Sequence, residues 1–153
     1  MSNHRLICAS DHAGYNLKKE LLNYFKTSKN EIYDLGTYDD KSVDYPDFAH
    51  KLCKRIQNDE GLKGILICGT GIGMSIVANR YKKVRAALCL DEKMSKLSRE
   101  HNNANVIVLG SRLISANKAI KCISCFIGTQ FEAGRHTNSC LLYTSDAADE
   151  GGR

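Results

Sequence analysis

Two hydrophobic periods alternate along this chain. Short apolar runs come at intervals: Leu6-Ile7-Cys8-Ala9, the stretch Glu31 to Leu35 ended by Gly36, Gly64 to Cys68, Ala86 to Leu90, and Val106 to Leu109. Four or five such residues in a row predict strands. Between them, apolar residues recur at helical spacing. Leu17, Leu21, Leu22 and Phe25 predict a first helix. Phe48, Leu52 and Ile56 line a second, with Pro46 suited to its first turn. Met74 to Arg80, Glu92 to Glu100 and Ser115 to Ile127 complete the set. Near-continuous apolar strands alternating with helices predict a parallel sheet covered on both faces. Five such units fit a doubly wound, Rossmann-like α/β domain: a five-stranded parallel sheet in three layers, α/β/α. In such domains ligands bind beyond the carboxyl ends of the strands, near a topological switch point. That rule singles out Ser10-Asp11-His12, Gly69 to Gly73, Asp91 and Gly110-Ser111-Arg112.

Composition narrows the picture. The 153 residues suit one domain, and 42% apolar with 25% charged residues and a single proline excludes a disordered or collagenous chain. No run approaches the roughly 18 apolar residues of a membrane span. The polar start, Met1 to Arg5, shows no secretory leader. Seven cysteines, an odd number, with Cys8, Cys68 and Cys89 inside strand-like runs, predict free thiols in a reducing, cytoplasmic setting. The net charge of +5 comes from 22 basic residues spread among 17 acidic ones. The densest basic cluster, Arg80, Lys82, Lys83 and Arg85, has no aromatic ladder beside it. It reads as a solvated helix end rather than a nucleic-acid surface. The composition changes near residue 138. Residues 139–153 hold three acids and one base, leaving residues 1–138 with a net +7. The expectation is one domain over residues 1–138 and a poorly ordered tail over 139–153.

The strongest local signal is Ile65-Leu66-Ile67-Cys68-Gly69-Thr70-Gly71-Ile72-Gly73-Met74-Ser75. A strand runs into three alternating glycines and then a helix. Such a turn brings backbone N–H groups close to a ligand and favours an anion. It is no P-loop, since no Lys-Ser/Thr follows. It is also a poor dinucleotide fingerprint, since the third glycine's place is taken by Met74. Cys68 ends its strand at this turn and is either a base or nucleophile or a small buried hydrophobe. Thr70 can offer a hydroxyl to the same ligand. Asp11 could accept a sugar hydroxyl or cap the first helix, and His12 could hold a phosphate or stand in solvent. His101 could act as an acid or simply complement a helix C-terminus. Cys122-x-x-Cys125 falls mid-helix on a packing face, which argues against a redox pair. His12, His101 and His136 lack the local spacing of a metal site.

Taken together, Ser10-Asp11-His12-Ala13-Gly14, Asp34-Leu35-Gly36-Thr37, Asp44-Tyr45-Pro46, Ile67 to Gly73, Ala78-Asn79-Arg80, Arg85-Ala86, His101-Asn102, Asn105-Val106, Gly110-Ser111-Arg112 and Phe131-Glu132-x-Gly134-Arg135-His136 resemble the ribose-5-phosphate isomerase B family in order and spacing. The resemblance implies a metal-free, cofactor-free aldose–ketose isomerase acting on ribose 5-phosphate and ribulose 5-phosphate. It implies Cys68 as the base, Thr70 as a proton shuttle and His101 as the ring-opening acid–base. It implies that the amides of Gly69, Gly71 and Gly73, with Ser75 and Asn102, stabilise an enediolate. Asp11 and Tyr45 would position the sugar, and His12, Arg112 and Arg135 would hold the phosphate. It further implies a homodimer with shared active sites, which could pair into a tetramer. Relatives acting on allose or galactose 6-phosphate share the pattern. A sugar-phosphate-binding module without catalysis is the alternative from another class, and the set Cys68, Thr70 and His101 argues against it. The family usually carries a further basic residue four positions after the equivalent of Arg135, where this chain has Ser139.

Overall fold

The computed structural model describes residues 5–38, 41 and 45–133, the side chain of Tyr45 excepted. The expectations for Arg135, His136, Ser139 and the tail therefore lie outside the described residues. Strands and helices alternate throughout: β1 (Leu6–Ser10), α1 (Tyr15–Phe25), β2 (Ile32–Asp34), α2 (Tyr45–Asn58), β3 (Lys63–Cys68), α3 (Ile72–Ala78), β4 (Ala86–Leu88), α4 (Glu92–Asn102), β5 (Val106–Gly110) and α5 (Ala116–Gly128). The five strands form one parallel sheet in the order β2-β1-β3-β5-β4. The doubly wound α/β expectation holds.

Position in the sheet explains the strand sequences. The central strands β1 and β5 are buried at every position, and β3 at all but its first. The edge strands β2 and β4 are shorter and half-exposed, so Leu90 falls outside β4. Successive side chains point to opposite faces, and this pleat divides the core in two. Leu6, Cys8, Ile65, Ile67, Ile107 and Leu109 face α1 and α5, against Leu21, Ile123 and Phe126. Ile7, Ala9, Leu66, Cys68, Val106 and Val108 face α2 and α3, against Leu52, Cys53, Met74 and Ala78. Helix α4 packs on α5, and its Ser95 hydroxyl donates to the Cys122 carbonyl at 2.6 Å. Each large apolar side chain so buried contributes roughly 1.5–3 kcal/mol.

Two helix starts differ from expectation. Helix α3 begins at Ile72 instead of Met74, because Gly71 adopts the left-handed φ of 81° that turns the strand into the helix. It stops at Ala78, where the Asn79 side chain leaves to bond both backbone groups of Ala86, at 2.8 and 2.9 Å. Helix α1 is capped by Gly14, not by Asp11. Asp11 Oδ1 instead accepts the Gly14 N–H at 3.0 Å, closing the turn between strand and helix.

Candidate active site

The carboxyl ends of β1, β3 and β5 lie side by side, and the loops that follow them are bonded together. The Asp11 N–H donates to the Ile67 carbonyl at 3.2 Å, Ser111 N–H to Cys68 at 2.8 Å and Arg112 N–H to Gly69 at 2.9 Å. The Ser111 hydroxyl donates to the Ala13 carbonyl at 2.8 Å. Each loop is thus held by its neighbour, and the three form one platform.

Cys68 closes β3 and is almost wholly covered. Its Sγ accepts the N–H of Gly71 at 3.1 Å, so the turn directs a backbone dipole at the sulfur. The other buried cysteines sit in apolar surroundings. Burial pushes the Cys8 thiol up, takes Cys53 and Cys89 to about 12 and Cys122 to about 11. At neutral pH these are inert thiols. Cys122 packs in the core beside Ile123 and Phe126, as its mid-helix position suggested. All six described cysteines are free.

The glycines let the turn pack closely because they have no side chains. A Cβ on Gly71 would meet Leu88 Cδ1 at 2.5 Å, and one on Gly69 would stand 2.9 Å from Arg112 Nη1. The Arg112 guanidinium therefore lies directly against the turn, on an exposed side chain. Thr70 is also exposed, and its hydroxyl accepts the Ile72 N–H at 3.2 Å. Gly73 and Ser75 occupy the first turn of α3, half-buried. Asp11 is buried and His12 half-buried at the end of β1. Tyr45 opens α2.

His101 and Asn102 do not join them. They end α4, and eleven residues of helix carry the chain about 16 Å back across the sheet. The connection that follows lies at the amino edge, where the Asn105 carbonyl accepts the Gly64 N–H at 2.9 Å. Gly64 pairs with Val106, and Cys68 with Gly110 four residues on, about 13 Å along the strands. Within one chain, His101 and Cys68 stand at opposite edges. Glu100, His101 and Glu132 gather there with potential ligand atoms within 4.8 Å of one another, a set able to hold a metal ion. His12 is not part of it.

Sequence reasoning missed Lys18. This side chain is 1% exposed and bonds Asp34 Oδ1 at 2.6 Å and the Thr37 carbonyl. Asp34 Oδ1 also accepts the Gly36 N–H at 2.9 Å. Thr37 N–H and the Gly36 carbonyl then bond Ser10, at 3.0 and 2.8 Å, which fixes the segment holding Asp11. The signal was present: Lys18, Leu21 and Phe25 share one face at i, i+3 and i+7.

The ribose/galactose isomerase family profile matches residues 6–140. The chain is 38% identical to ribose-5-phosphate isomerase B of Escherichia coli over 126 residues, covering 82% of this chain and 85% of that protein. It superposes on the ribose 5-phosphate isomerase of Thermotoga maritima with a TM-score of 0.90 at 46% identity, covering 94% of this chain and 99% of that one. It is also similar to ribose-5-phosphate isomerase B of Mycoplasma genitalium solved with bound ribulose 5-phosphate, with a TM-score of 0.86 at 38% identity and 97% of both chains covered.

Proposed function

The chain belongs to the ribose/galactose isomerase family, and we propose that it interconverts ribose 5-phosphate and ribulose 5-phosphate on its carboxyl-edge platform, in the cytoplasm. The observation that carries this reading is the contact of Cys68 Sγ with the Gly71 N–H beneath an open glycine turn, with Arg112 against Gly69. Isomerisation moves one proton between C2 and C1 through a cis-enediolate. Both transfers occur on the same face, so one base suffices and no redox partner is needed. The Cys68 thiolate takes the C2 proton of the open aldose. The resulting thiol returns it to C1, giving the ketose and restoring the thiolate. The negative charge that develops on the sugar oxygens is met by the amides of Gly69, Gly71 and Gly73, with Ser75 and Asn102. Thr70 moves the hydroxyl proton between O1 and O2. Asp11 and Tyr45 hold the sugar. His12, Arg112 and Arg135 hold the phosphate, the guanidinium groups bidentately.

The substrate is mostly a closed furanose, so an acid–base must open it first, and His101 takes that role. His101 stands at the amino edge of its own chain. The reading therefore requires a second copy, with His101 and Asn102 of one chain completing the platform of the other. A two-fold dimer would contain two such composite sites.

Two measurements test this. The protein should turn over ribose 5-phosphate in a coupled assay, and no turnover of any pentose or hexose phosphate would favour a binding module. Cys68→Ala and His101→Asn should each be nearly inactive alone. After unfolding and refolding as an equal mixture, about a quarter of wild-type activity should return, since half the dimers then carry one intact site of two. Failure of the mixture to regain activity would sink the shared site.

A further inference from the structure

The amino edge of the sheet carries a feature that isomerisation does not use. A cleft of about 550 Å³ opens there between the start of β3, the loop before β4 and the end of α4. Its volume suits a small ligand. Lys63, Lys83, Arg85 and Arg99 line it, with Asn103 and Asn105 between them. Four cations from three separate segments converge on one concavity. Two acids share the lining, Asp59 and Glu60. Asp59 is already bound through both carboxylate oxygens to the Arg5 guanidinium.

The cations are built into the fold. Arg99 is only 7% exposed, and the acceptors around it are neutral: the Thr129 carbonyl at 3.1 Å, Asn103 Oδ1 at 2.9 Å and the Ala104 carbonyl at 2.7 Å. Arg85 Nε donates to the Asn103 carbonyl at 3.1 Å. Burial and then neighbouring positive charge push both the Lys63 amine, beside Arg99, and the Arg99 guanidinium, beside Arg85, below their ordinary values. Like charges held together at partial burial repel, and a bound anion relieves that repulsion. Arginine adds planar donors suited to phosphate oxygens.

We propose that this cleft is a second anion site, taking a small molecule that carries a diphosphate or a comparable pair of phosphate charges. Within one chain it lies across the sheet from the platform of Cys68 and Arg112, and its lining includes neither His101 nor Asn102, the residues that the proposed dimer gives to its partner's platform. Lys83 supplies the most adjustable contact, being exposed, and Arg85 and Arg99 the fixed ones.

Amide spectra of the full ¹⁵N-labelled chain, titrated with inorganic pyrophosphate, test the site without requiring turnover. Saturable shifts are expected at Lys63, Lys83, Arg85 and Asn105. Binding at the platform would appear separately, at Gly69 to Gly73, Arg112, His101 and Asn102. Lys83→Asn should weaken the amino-edge set about tenfold, or 1.4 kcal/mol, and leave the platform set unchanged. Asparagine is at home at the φ of 67° that Lys83 adopts, so the loop should keep its shape. Arg85→Gln provides a second variant with the same expectation. Tighter binding of ADP than of pyrophosphate would assign the ligand to nucleotides, and equal binding to the diphosphate group alone; either sustains the site. Shifts confined to the platform would overturn the proposal. So would amino-edge shifts whose affinity neither substitution changes.

Discussion

The two edges of this sheet handle charge in opposite ways. At the carboxyl edge the charged partners lie beneath or beside the glycine turn, and the turn itself is neutral backbone with one sulfur. Gly71 N–H, Cys68 Sγ and the carbonyls that hold Ser111 and Arg112 define its shape. At the amino edge, side-chain charge sets the shape: Lys63, Arg85 and Arg99 crowd together around asparagine amides. The difference teaches how a parallel sheet divides its work. Strand ends that run into helix starts present N–H groups, and helix ends that run into strand starts present carbonyls. The first suit an anionic transition state. The second hold cations, and those cations can then hold an anion of their own.

Substitutions at one edge should read out differently from those at the other. The largest effect belongs to Cys68→Ala, expected to lower kcat about 10²–10⁴-fold with the fold intact. Full activity in that variant would remove Cys68 as the base. Next comes Lys18→Met, which leaves Asp34 without its cation beneath the platform. The expected loss is about 3 kcal/mol in denaturant unfolding, at the low end for a broken buried pair because Asp34 keeps some contact with water. Unchanged stability would mean that the pair only balances its own desolvation. Gly71→Ala should cost about 1–3 kcal/mol through its left-handed φ. It should also reduce kcat, since its N–H faces Cys68. A stability loss without a kinetic one would separate the turn from the chemistry.

The last effect appears only at alkaline pH and is spread over the core. The ordinary cysteine value of 9.0 is raised on folding to about 12 for Cys53 and Cys89, and to about 11 for Cys122. The unfolded chain releases these protons first. Stability should therefore be full below about pH 9 and fall as pH rises toward 11–12, by at least about 1.4 kcal/mol per pH unit. Equilibrium unfolding at graded alkaline pH measures the slope. A flat profile would show the thiols to be less buried than their packing indicates.

Much of this was legible in the chain. Every strand and helix announced itself by period, and the glycine turn after β3 was readable because a left-handed turn packed against Leu88 needs glycine at that point. The boundaries of α3 were less legible, since Gly71 in a left-handed conformation starts the helix two residues early and Asn79 is drawn away by Ala86. Lys18 was overlooked because a lysine on an apolar face looks like an error until Asp34 and Thr37 are seen around it. The trio Glu100, His101 and Glu132 was also hidden, as it depends on the chain returning from α5 to α4, where Glu132 N–H reaches the Glu100 carbonyl at 3.0 Å.

By itself, then, the sequence determined the alternation of elements, the parallel sheet and the place of the glycine turn, because period and glycine placement act over a few residues. Only the tertiary structure decided that Cys68 and His101 stand at opposite edges. A helix reverses the chain across the sheet, and its place there depends on the packing of α4 on α5, which no local pattern records. The same packing gathers Lys63, Arg85 and Arg99 from distant segments into one cleft. Charges that seem evenly scattered along the chain become a site only when the fold brings them within reach of one another.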